Sequence, residues 1–373
     1  MKVALLGCGA QGQAIAFDLA HNNHQVIAID REPNVYGSLK KFPKRITNNI
    51  TTKTCDVEDK HKLLPIIKDA DLLISALPGR YGKHVWGFAL EVKKNLVDIS
   101  YTDEDPFSWH REAQKRAIKI VVDAGFAPGL SNILVGNAYR TLASIEEIKI
   151  YTGGLPQKPK LPLRYSLTWS LEDLIEEYTR PARIVQNYKI IKVPALSGVE
   201  TLEVPRIGKV ECFYTDGLRT LLKTIKNVKN LEEKTIRYPG HAALISELLN
   251  YGYPYHKKSN RVMPKDFIVT FLRNHLTTNS VQDCSILTIK IKTRHKCQTY
   301  FCLDFYDKHT KITSMARLTG FTASIVAQHL NRYNRVGVVP PEYFGMDPEL
   351  YEIFLKEFTR RKINIKISGE WIK

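Results

Sequence analysis

The sequence predicts an α/β protein in which a doubly wound parallel sheet is followed by a second α+β domain built on a mainly antiparallel sheet. In the first third of the chain, short apolar segments alternate with segments of helical periodicity, which is typical of parallel strands joined by right-handed crossovers. From Ile145 onward, strand-like segments follow one another without intervening helices. Within the run 285–306, polar and apolar side chains alternate on both sides of a polar break, as they do in an antiparallel hairpin.

The first domain rests on five apolar strand segments and on the helical segments between them. Each strand segment is short and apolar, and the helices carry apolar side chains at helical spacing. The strands are expected at 2–6, 25–29, 71–76, 95–100 and 119–123, and the helices at about 14–22, 57–68, 82–93 and 106–117. We therefore assign residues 1–130 to this domain.

The rest of the chain is predicted to form the α+β domain at 131–312 and C-terminal helices at 313–373 that return to the first domain. The segment from Leu130 to Leu142 has helical periodicity, and a strand over 147–152 is expected to end at Gly153 and Gly154. The remaining predicted elements are the hairpin 285–306, a helix over 315–332, a rigid turn at 340–342 and a last helix over 348–361.

The composition is that of an ordinary globular protein. The chain has 373 residues, 43% of them hydrophobic, which excludes a disordered or low-complexity protein. No apolar run reaches the roughly 18–20 residues needed to span a bilayer, and the first residues begin a strand pattern rather than a signal peptide. The six cysteines form no C-x-x-C pair and no Cys/His group with zinc-ligand spacing. We expect a cytoplasmic protein with free thiols, without a metal and without membrane association.

The net charge is strongly positive. There are 55 Lys and Arg residues against 38 Asp and Glu residues, which gives a formal charge of +17. Such an excess fits an acidic partner, either nucleic acid or an anionic cofactor and substrate, and it also fits a basic surface that serves solubility. Because no nucleic-acid-binding motif accompanies the charge, we favour the solubility explanation and expect no nucleic-acid partner.

A glycine-rich motif follows the first predicted strand and opens the first predicted helix. Gly7 permits a tight turn, Gly9 lets a pyrophosphate approach the backbone, and Gly12 lets the helix pack closely on the strand. The helix N-terminus would then offer unpaired N–H groups to the phosphates. This context is typical of a Rossmann dinucleotide-binding domain, and a glycine turn without a ligand is the less favoured alternative.

The end of the second predicted strand bears on the choice of cofactor. Asp30 stands where a carboxylate accepts hydrogen bonds from the adenosine ribose hydroxyls. A carboxylate there repels a 2′-phosphate, so NAD is favoured over NADP. The neighbouring Arg31 would either stack on the adenine or weaken that preference.

The other strand ends supply further candidates, because ligands of open parallel sheets bind beyond the carboxyl ends of the strands. Asp98 and Asp123 both lie at such ends, although Asp also favours caps and turns. The expected dinucleotide contacts are Gly7, Gly9, Ala10, Gln11, Gly12, Asp30, Arg31, Ala76, Leu77, Pro78, Asp98, Ser100 and Gly125.

In the second domain, a Pro-Gly turn at 239–240 would present Arg237 and His241 from a fixed loop. The competing interpretation is structural, because a lone His is more often a core residue and an Arg more often a surface charge. The chain also contains no P-loop, no G-x-S-x-G elbow and no H-E-x-x-H motif. The dinucleotide motif is therefore the strongest ligand signal in the sequence.

The segment from Asp123 to Asn132, DAGFAPGLSN, resembles the D-x-G-x-x-P-G-x-x-N block of the saccharopine dehydrogenase family. The resemblance is greatest to the lysine 6-dehydrogenase branch of that family, and it extends over almost the whole chain. Further blocks resemble that branch in the same order, at 153–156, 169–170, 177–180, 215–218, 234–241, 319–330 and 337–342.

The resemblance implies a Rossmann domain, a second domain with a mixed sheet, and a homodimer. It implies that NAD oxidises the ε-amine of L-lysine to 2-aminoadipate 6-semialdehyde, which cyclises to a piperideine carboxylate, with release of ammonia. Two alternatives stay open. Relatives in the family act on saccharopine or carboxynorspermidine, and a chain that has lost catalysis would bind NAD as a regulator without turning over any amine.

Candidate roles follow from the chemistry that the resemblance implies. A lysine amine, with an ordinary pKa of about 10.4, must lose a proton before hydride can leave, and a substrate carboxylate fits the planar fork of an Arg. The proposed proton acceptors are Asp123 and His241, the carboxylate clamps Arg180 and Arg237, the groups for the α-ammonium Glu177 or Asp216, and the orienting contacts Tyr101, Asn132 and Tyr178.

Overall fold

A computed structural model describes residues 1–251, 270, 272–276 and 281–371 of the chain. Its internal contacts divide the chain into two compact units. Unit 1 comprises Met1–Leu142 and Asp307–Asn364, and unit 2 comprises Ala143–Tyr306 and Ile365–Lys373. Both units are therefore assembled from two separate stretches of the chain.

Unit 1 is built on a parallel sheet. Its strands are β1 (Lys2–Leu6), β2 (Gln25–Asp30), β3 (Ile50–Thr54), β4 (Leu72–Ser75), β5 (Leu96–Asp98), β6 (Lys119–Val121) and β15 (Gly337–Val339). Among the described residues they lie in the order β15-β6-β5-β4-β1-β2-β3, and each neighbouring pair is parallel. This order reverses direction at β1, as it does in a doubly wound fold.

The helices of unit 1 connect and cover these strands. They are α1 (Ala10–His21), α2 (Lys44–Thr47), α3 (Lys60–Ile67), α4 (Gly82–Val92), α5 (His110–Lys115), α6 (Leu130–Thr141), α10 (Ser314–His329), α11 (Glu342–Met346) and α12 (Pro348–Arg360). Short 3₁₀ segments lie at Pro33–Lys41, Gly79–Tyr81, Pro106–Trp109 and Leu330–Arg332. Apolar strand residues such as Leu6 and Ile120 pack with Trp86 and Phe88 of α4 in one buried cluster.

Unit 2 is built on a second, mainly antiparallel sheet. Its strands are β7 (Ile145–Pro156), β8 (Ala182–Gln186), β9 (Lys189–Val193), β10 (Glu200–Val204), β11 (Gly208–Tyr214), β12 (Asn230–Arg237), β13 (Asp283–Thr293), β14 (Lys296–Phe305) and β16 (Ile365–Trp371). The main path is β10-β11-β12-β7-β13-β14-β16, in which the pair β12/β7 is parallel. Helices α7 (Leu171–Thr179), α8 (Leu221–Thr224) and α9 (His241–Tyr251) complete the described part of this unit.

The predicted fold class is confirmed, and β3, β7 and β16 are among the elements that differ from the predictions. β3 was not predicted, because Thr51 to Thr54 are exposed at the edge of the sheet and show no apolar pattern. β7 continues through Gly153 and Gly154 to Pro156, because it pairs with β13 over this stretch. The glycine at 153 is required because a Cβ there would collide with the Ile236 backbone of the neighbouring β12. β16 belongs to unit 2, because it pairs with β14.

The unit boundary lies at Leu142 rather than at 130, so α6 belongs to the first unit. The reason is close backbone packing between α6 and α11. A Cβ at Gly136 would collide with the backbone of Glu342, and one at Gly345 would collide with that of Ile133. The two glycines therefore join the segment after Asp123 to the C-terminal helices of unit 1.

The described residues also bear on disulfides, metal binding and membrane spans. The six cysteines are unpaired thiols, and five of them are buried. Residues that the structure describes form no group of three or more His, Cys, Asp or Glu side chains arranged to hold a metal. None of the described helices combines the length and the apolar character required to cross a membrane.

Candidate functional site

The glycine-rich loop between β1 and α1 is shaped by what its glycines contact. Gly7 has a φ of +93°, and a Cβ there would lie 2.5 Å from the Ala76 carbonyl oxygen. A Cβ at Gly12 would collide with the Gly7 carbonyl oxygen. Both glycines are thus required by the protein's own packing, which holds α1 against the ends of β1 and β4.

Gly9 differs from its two neighbours in the motif. No atom lies within 4 Å of the position that a Cβ would occupy, so the space above this residue is open. Gly9 is also the N-cap of α1, and no side chain caps the helix there. An open space at an uncapped helix N-terminus fits a phosphate group, because free N–H groups and the helix dipole both favour an anion. The loop therefore fits the diphosphate of a dinucleotide, and Ala10 and Gln11 form the first helical turn beside it.

Asp30 lies at the end of β2, as predicted, and its carboxylate is held in place by the backbone. Oδ2 accepts a hydrogen bond of 2.7 Å from the Cys8 N–H, and Oδ1 accepts one of 3.0 Å from the Glu32 N–H. Asp30 thus joins the glycine loop to the end of β2. Arg31 is exposed and donates to the hydroxyl of Tyr81 at 3.4 Å.

Lys41 was not predicted as a site residue, yet it lies beside the same loop. Its Nζ donates to the Gln13 amide oxygen at 3.2 Å, and the Gln13 amide donates to the Cys8 carbonyl at 3.1 Å. Burial lowers the pKa of Lys41 from its usual value. No sequence motif surrounds this lysine, which is brought to the loop by the 3₁₀ segment Pro33–Lys41.

The ends of β4 and β5 divide into accessible and buried groups. Ala76, Leu77 and Pro78 follow β4 and are partly exposed, as a cofactor contact requires. Asp98 is fully buried and accepts hydrogen bonds from Trp86 Nε1 at 2.7 Å and from the Ser100 hydroxyl at 2.6 Å.

Burial raises the pKa of Asp98 to about 6, while the hydrogen bonds from Ser100 and Trp86 oppose that rise. The Asp98 side chain therefore anchors α4 and the segment after β5 rather than facing a ligand. Ser100 is 3% exposed and its hydroxyl donates to Asp98, and the dinucleotide contacts expected for both residues stay predictions.

The block from Asp123 to Asn132 forms a compact turn at the end of β6. Asp123 is buried with a left-handed φ of 53°, a conformation that Asp adopts more readily than most residues. Gly129 has a φ of +133°, and a Cβ there would collide with the Gly125 backbone. Gly125 and Gly129 therefore let the chain fold back on itself, and Asp123 stays a candidate at the carboxyl edge of the sheet.

Asn132 forms hydrogen bonds within this turn and with Glu342. It is fully buried, its Oδ1 accepts from the Gly129 N–H at 3.2 Å, and its Nδ2 donates to Glu342 Oε2 at 3.0 Å. Glu342 is also fully buried. These hydrogen bonds link two motif blocks, and the orienting contact with a substrate stays a prediction. Tyr101, by contrast, is partly exposed beyond β5.

In unit 2, Arg237 is the centre of a buried polar cluster. Its side chain is 3% exposed, and its Nη2 donates to Glu177 Oε2 at 2.9 Å. Its Nε donates to the Tyr178 hydroxyl at 3.2 Å, and its guanidinium lies 4.5 Å over the Tyr165 ring. This geometry pairs the guanidinium with a carboxylate of the protein, and the role predicted for Arg237, a clamp on a substrate carboxylate, stays a prediction.

His241 is part of the same cluster. Its Nδ1 lies 3.0 Å from the Leu163 carbonyl oxygen, which only accepts, so Nδ1 carries the proton. Its Nε2 then accepts from the Tyr178 hydroxyl at 2.9 Å. Burial, and secondly the charge of Arg237, lower the pKa of His241 to about 3. Both ring nitrogens are therefore engaged and the ring is a poor base, which argues against the proton-acceptor role of His241; that role stays a prediction.

The other predicted residues of unit 2 have structural partners as well. Arg180 is half-buried, with its Nη2 3.6 Å from Glu176. Asp216 is 2% exposed and accepts bidentate hydrogen bonds of 2.9 and 2.8 Å from Arg183. Glu177 retains some exposure, with a side chain 14% accessible. Of the carboxylates predicted here for the α-ammonium, Glu177 is the accessible one.

A buried acid on β12 was missed in the sequence. Glu233, Thr235 and Arg237 occupy alternate positions of this strand and so share one face. β12 lies between β11 and β7, and all three residues are buried. Polar side chains at a spacing of two on a central strand are the signal that would have located this cluster, because buried polar groups require partners.

Comparisons with known proteins agree with this arrangement. The family model described as the saccharopine dehydrogenase C-terminal domain matches residues 125–363, and the model described as the saccharopine dehydrogenase NADP binding domain matches residues 3–127. The chain belongs to the saccharopine dehydrogenase family. The resemblance noted at 123–132 and in the later blocks is thereby confirmed at the level of this family.

Relatives within the saccharopine dehydrogenase family are distant. Alpha-aminoadipic semialdehyde synthase of Arabidopsis thaliana is 26% identical over 236 residues, 58% of this chain and 22% of that protein. Saccharopine dehydrogenase (NADP(+), L-glutamate-forming) of Saccharomyces cerevisiae is 24% identical over 264 residues, 67% of this chain and 58% of that protein. The chain thus matches less than two thirds of the length of either relative.

A solved structure shows the same fold. The apo form of histidine-tagged saccharopine dehydrogenase (L-Glu forming) from Saccharomyces cerevisiae aligns with a TM-score of 0.77 and 18% sequence identity, covering 99% of both chains. At this identity the match establishes the fold of the saccharopine dehydrogenase family for this chain and leaves its substrate to be determined.

Proposed function

We propose that this protein is a pyridine-nucleotide-dependent dehydrogenase that oxidises the bond between Cε and Nε of a lysine skeleton. The observation that carries the proposal is the open, uncapped helix N-terminus at Gly9, within a chain of the saccharopine dehydrogenase family. When a dinucleotide is bound with its diphosphate at this loop, its nicotinamide would supply the acceptor for a hydride from Cε. Hydrolysis of the resulting imine by water yields 2-aminoadipate 6-semialdehyde and a free amine.

Two substrates share this reacting bond and differ in the amine that is released. L-lysine would release ammonia, and saccharopine would release L-glutamate, as the name of the L-glutamate-forming relative from Saccharomyces cerevisiae describes. Saccharopine carries an additional dicarboxylate arm and requires more cationic groups. Arg237 and Arg183 are each committed to a carboxylate of the protein, which favours L-lysine.

The experiment that tests this proposal follows reduction of the cofactor by absorbance, with NAD or NADP and with L-lysine or saccharopine. Cofactor reduction accompanied by stoichiometric ammonia identifies L-lysine, and reduction accompanied by L-glutamate identifies saccharopine. Binding of the dinucleotide without turnover of either amine would contradict the proposed reaction and support a regulatory protein.

For the cofactor, we propose NAD, with Asp30 as the residue that excludes a 2′-phosphate. The proposal is supported by the position of Asp30 at the end of β2, where two backbone N–H groups fix its carboxylate. Lys41 lies beside the same loop, and its positive charge has the opposite effect, because it favours a 2′-phosphate.

Replacing Asp30 with Asn should raise the ratio of kcat/KM for NADP to that for NAD by at least about tenfold, the equivalent of roughly 1.4 kcal/mol. Asn keeps one oxygen as an acceptor for the loop and removes the negative charge. The measurement is steady-state kinetics with both cofactors. Lys41→Met is the opposing variant and should lower the use of NADP. Equal use of the two cofactors by the unmodified protein would refute the role of Asp30.

A further inference from the structure

Glu233 is a buried carboxyl group that has no cationic partner among the described residues. It is 4% exposed on the central strand β12. Its Oε2 contacts the Thr215 hydroxyl at 3.0 Å and the Gly217 N–H at 2.9 Å. The nearby charged groups are the carboxylates of Glu177 and Asp216, which are paired with Arg237 and Arg183 respectively. Among the described residues, Glu233 therefore has two paired carboxylates nearby and no counter-ion of its own.

A chain of short hydrogen bonds joins Glu233 to Glu177. After the contact between Glu233 and Thr215, the Thr215 hydroxyl lies 2.8 Å from the Thr235 hydroxyl. The Thr235 hydroxyl then lies 2.7 Å from Glu177 Oε1. Both threonines are nearly inaccessible, at 2% and 3% exposure. This series of hydrogen bonds therefore begins at a buried acid and ends at the partly accessible Glu177.

The number of available hydrogens determines which group donates in each of these hydrogen bonds. Each threonine hydroxyl has one hydrogen to donate. Glu177 is ionised by its pairing with Arg237, so Thr235 must donate to it. The contact between the threonines then uses the hydrogen of Thr215. No hydrogen of Thr215 remains for Glu233, so the contact between these two residues requires a hydrogen on the Glu233 carboxyl.

We propose that Glu233 is held as a neutral carboxylic acid and that Thr215 and Thr235 relay its proton to Glu177. Concerted transfer of three hydrogens along the chain breaks the O–H bond of Glu233 and forms one on Glu177, and it moves a single proton without any oxidant or reductant. Glu233 acts through Glu177 and is a positioning residue. Only the use of the relay in turnover rests on the proposed dehydrogenase function.

The electrostatic surroundings of Glu233 point the same way. Burial raises the pKa of Glu233 to about 8, the charge of Glu177 adds to the rise, and the hydrogen bond from the Gly217 N–H opposes it. The opposite face of β12 differs, because Glu232 accepts a hydrogen bond of 2.9 Å from the Tyr214 hydroxyl and its side chain is 15% exposed. Glu232 is thus a matched control one residue away.

The first test is infrared spectroscopy of the unliganded protein, which detects the carbonyl band of a protonated carboxyl group. We expect such a band at neutral pH that disappears with a midpoint near pH 8 and is missing from Glu233→Gln. Glu232→Gln should retain it. If Glu233→Gln fails to fold, titration of ¹³C-labelled glutamate in the unmodified protein replaces it. Absence of a protonated Glu above pH 6 in that titration would overturn the proposal.

The second test separates the relay from a structural role. Thr235→Val interrupts the series of hydrogen bonds while it retains the size of the side chain. We expect kcat at neutral pH to fall about tenfold with KM nearly unchanged. Thr235→Ser restores the hydroxyl and should restore kcat. An unaltered pH profile of kcat in both Thr235→Val and Glu233→Gln would refute the relay. Lack of turnover by the unmodified protein would contradict the proposed function and leave the infrared result standing.

Discussion

Replacing Gly12 with Ala is expected to abolish dinucleotide binding and to destabilise unit 1. The added Cβ would collide with the carbonyl oxygen of Gly7, so α1 must move away from β1 or the glycine loop must change shape. Overpacking of this kind costs roughly 1–3 kcal/mol. Calorimetric titration with NAD should show a loss of affinity of at least about a hundredfold, or 2.7 kcal/mol, and urea denaturation should show the lower stability.

Two other glycines make this prediction specific. Gly9→Ala meets open space, so stability should fall by only about 1 kcal/mol or less, the cost of Ala at an N-cap. Dinucleotide affinity should fall, because the methyl group occupies the space assigned to the phosphates. Gly87→Ala lies in α4, where the nearest atom, in Trp109, is 3.7 Å from the new Cβ. That variant should be stabilised by up to about 1 kcal/mol and should bind NAD normally. Normal binding by Gly9→Ala would place the cofactor elsewhere.

Replacing Arg237 with Met is expected to destabilise the protein strongly. The substitution leaves the Glu177 carboxylate without its counter-ion and the Tyr178 hydroxyl without one of its donors, and it removes the cation above the Tyr165 ring. Breaking a buried ion pair from one side costs about 3–5 kcal/mol. The free energy of unfolding, measured by urea denaturation, provides the test.

The double variant Arg237→Met with Glu177→Gln should recover part of the lost stability, because the uncompensated carboxylate is then absent. Arg332→Met is a suitable control, because Arg332 forms an exposed pair with Glu349 that contributes at most about 1 kcal/mol. If Arg237→Met were as stable as the unmodified protein and lost only substrate affinity, Arg237 would be a substrate clamp after all.

The strands that the sequence predicted correctly are those with buried apolar side chains. β1, β2 and β4 are enclosed on both faces, and their continuous apolar runs reflect this. β3 has no such run, because it is an exposed edge strand held by backbone pairing with β2. The partners of β15 and β16 are distant in the sequence, and local periodicity contains no information about such pairings.

The candidate sites show a similar division. The glycine motif and Asp30 could be located from sequence, because their chemistry depends on local spacing. The roles of Arg237 and His241 could not, because residue type alone does not show whether a neighbour such as Glu177 will pair with the guanidinium. Asn132 and Glu342, more than 200 residues apart in the chain, meet only in the folded unit.

The pairing of β15 with β6 and of β16 with β14 has a consequence for biosynthesis. A nascent chain leaves the ribosome N-terminus first, so β6 stays an unpaired edge until Val339 has emerged, and β14 until β16 has followed. Neither unit can complete its sheet while most of the chain is being translated. Exposed strand edges favour association between chains, so we expect the nascent protein to be more prone to association at β6 and β14 until β15 and β16 cover these edges.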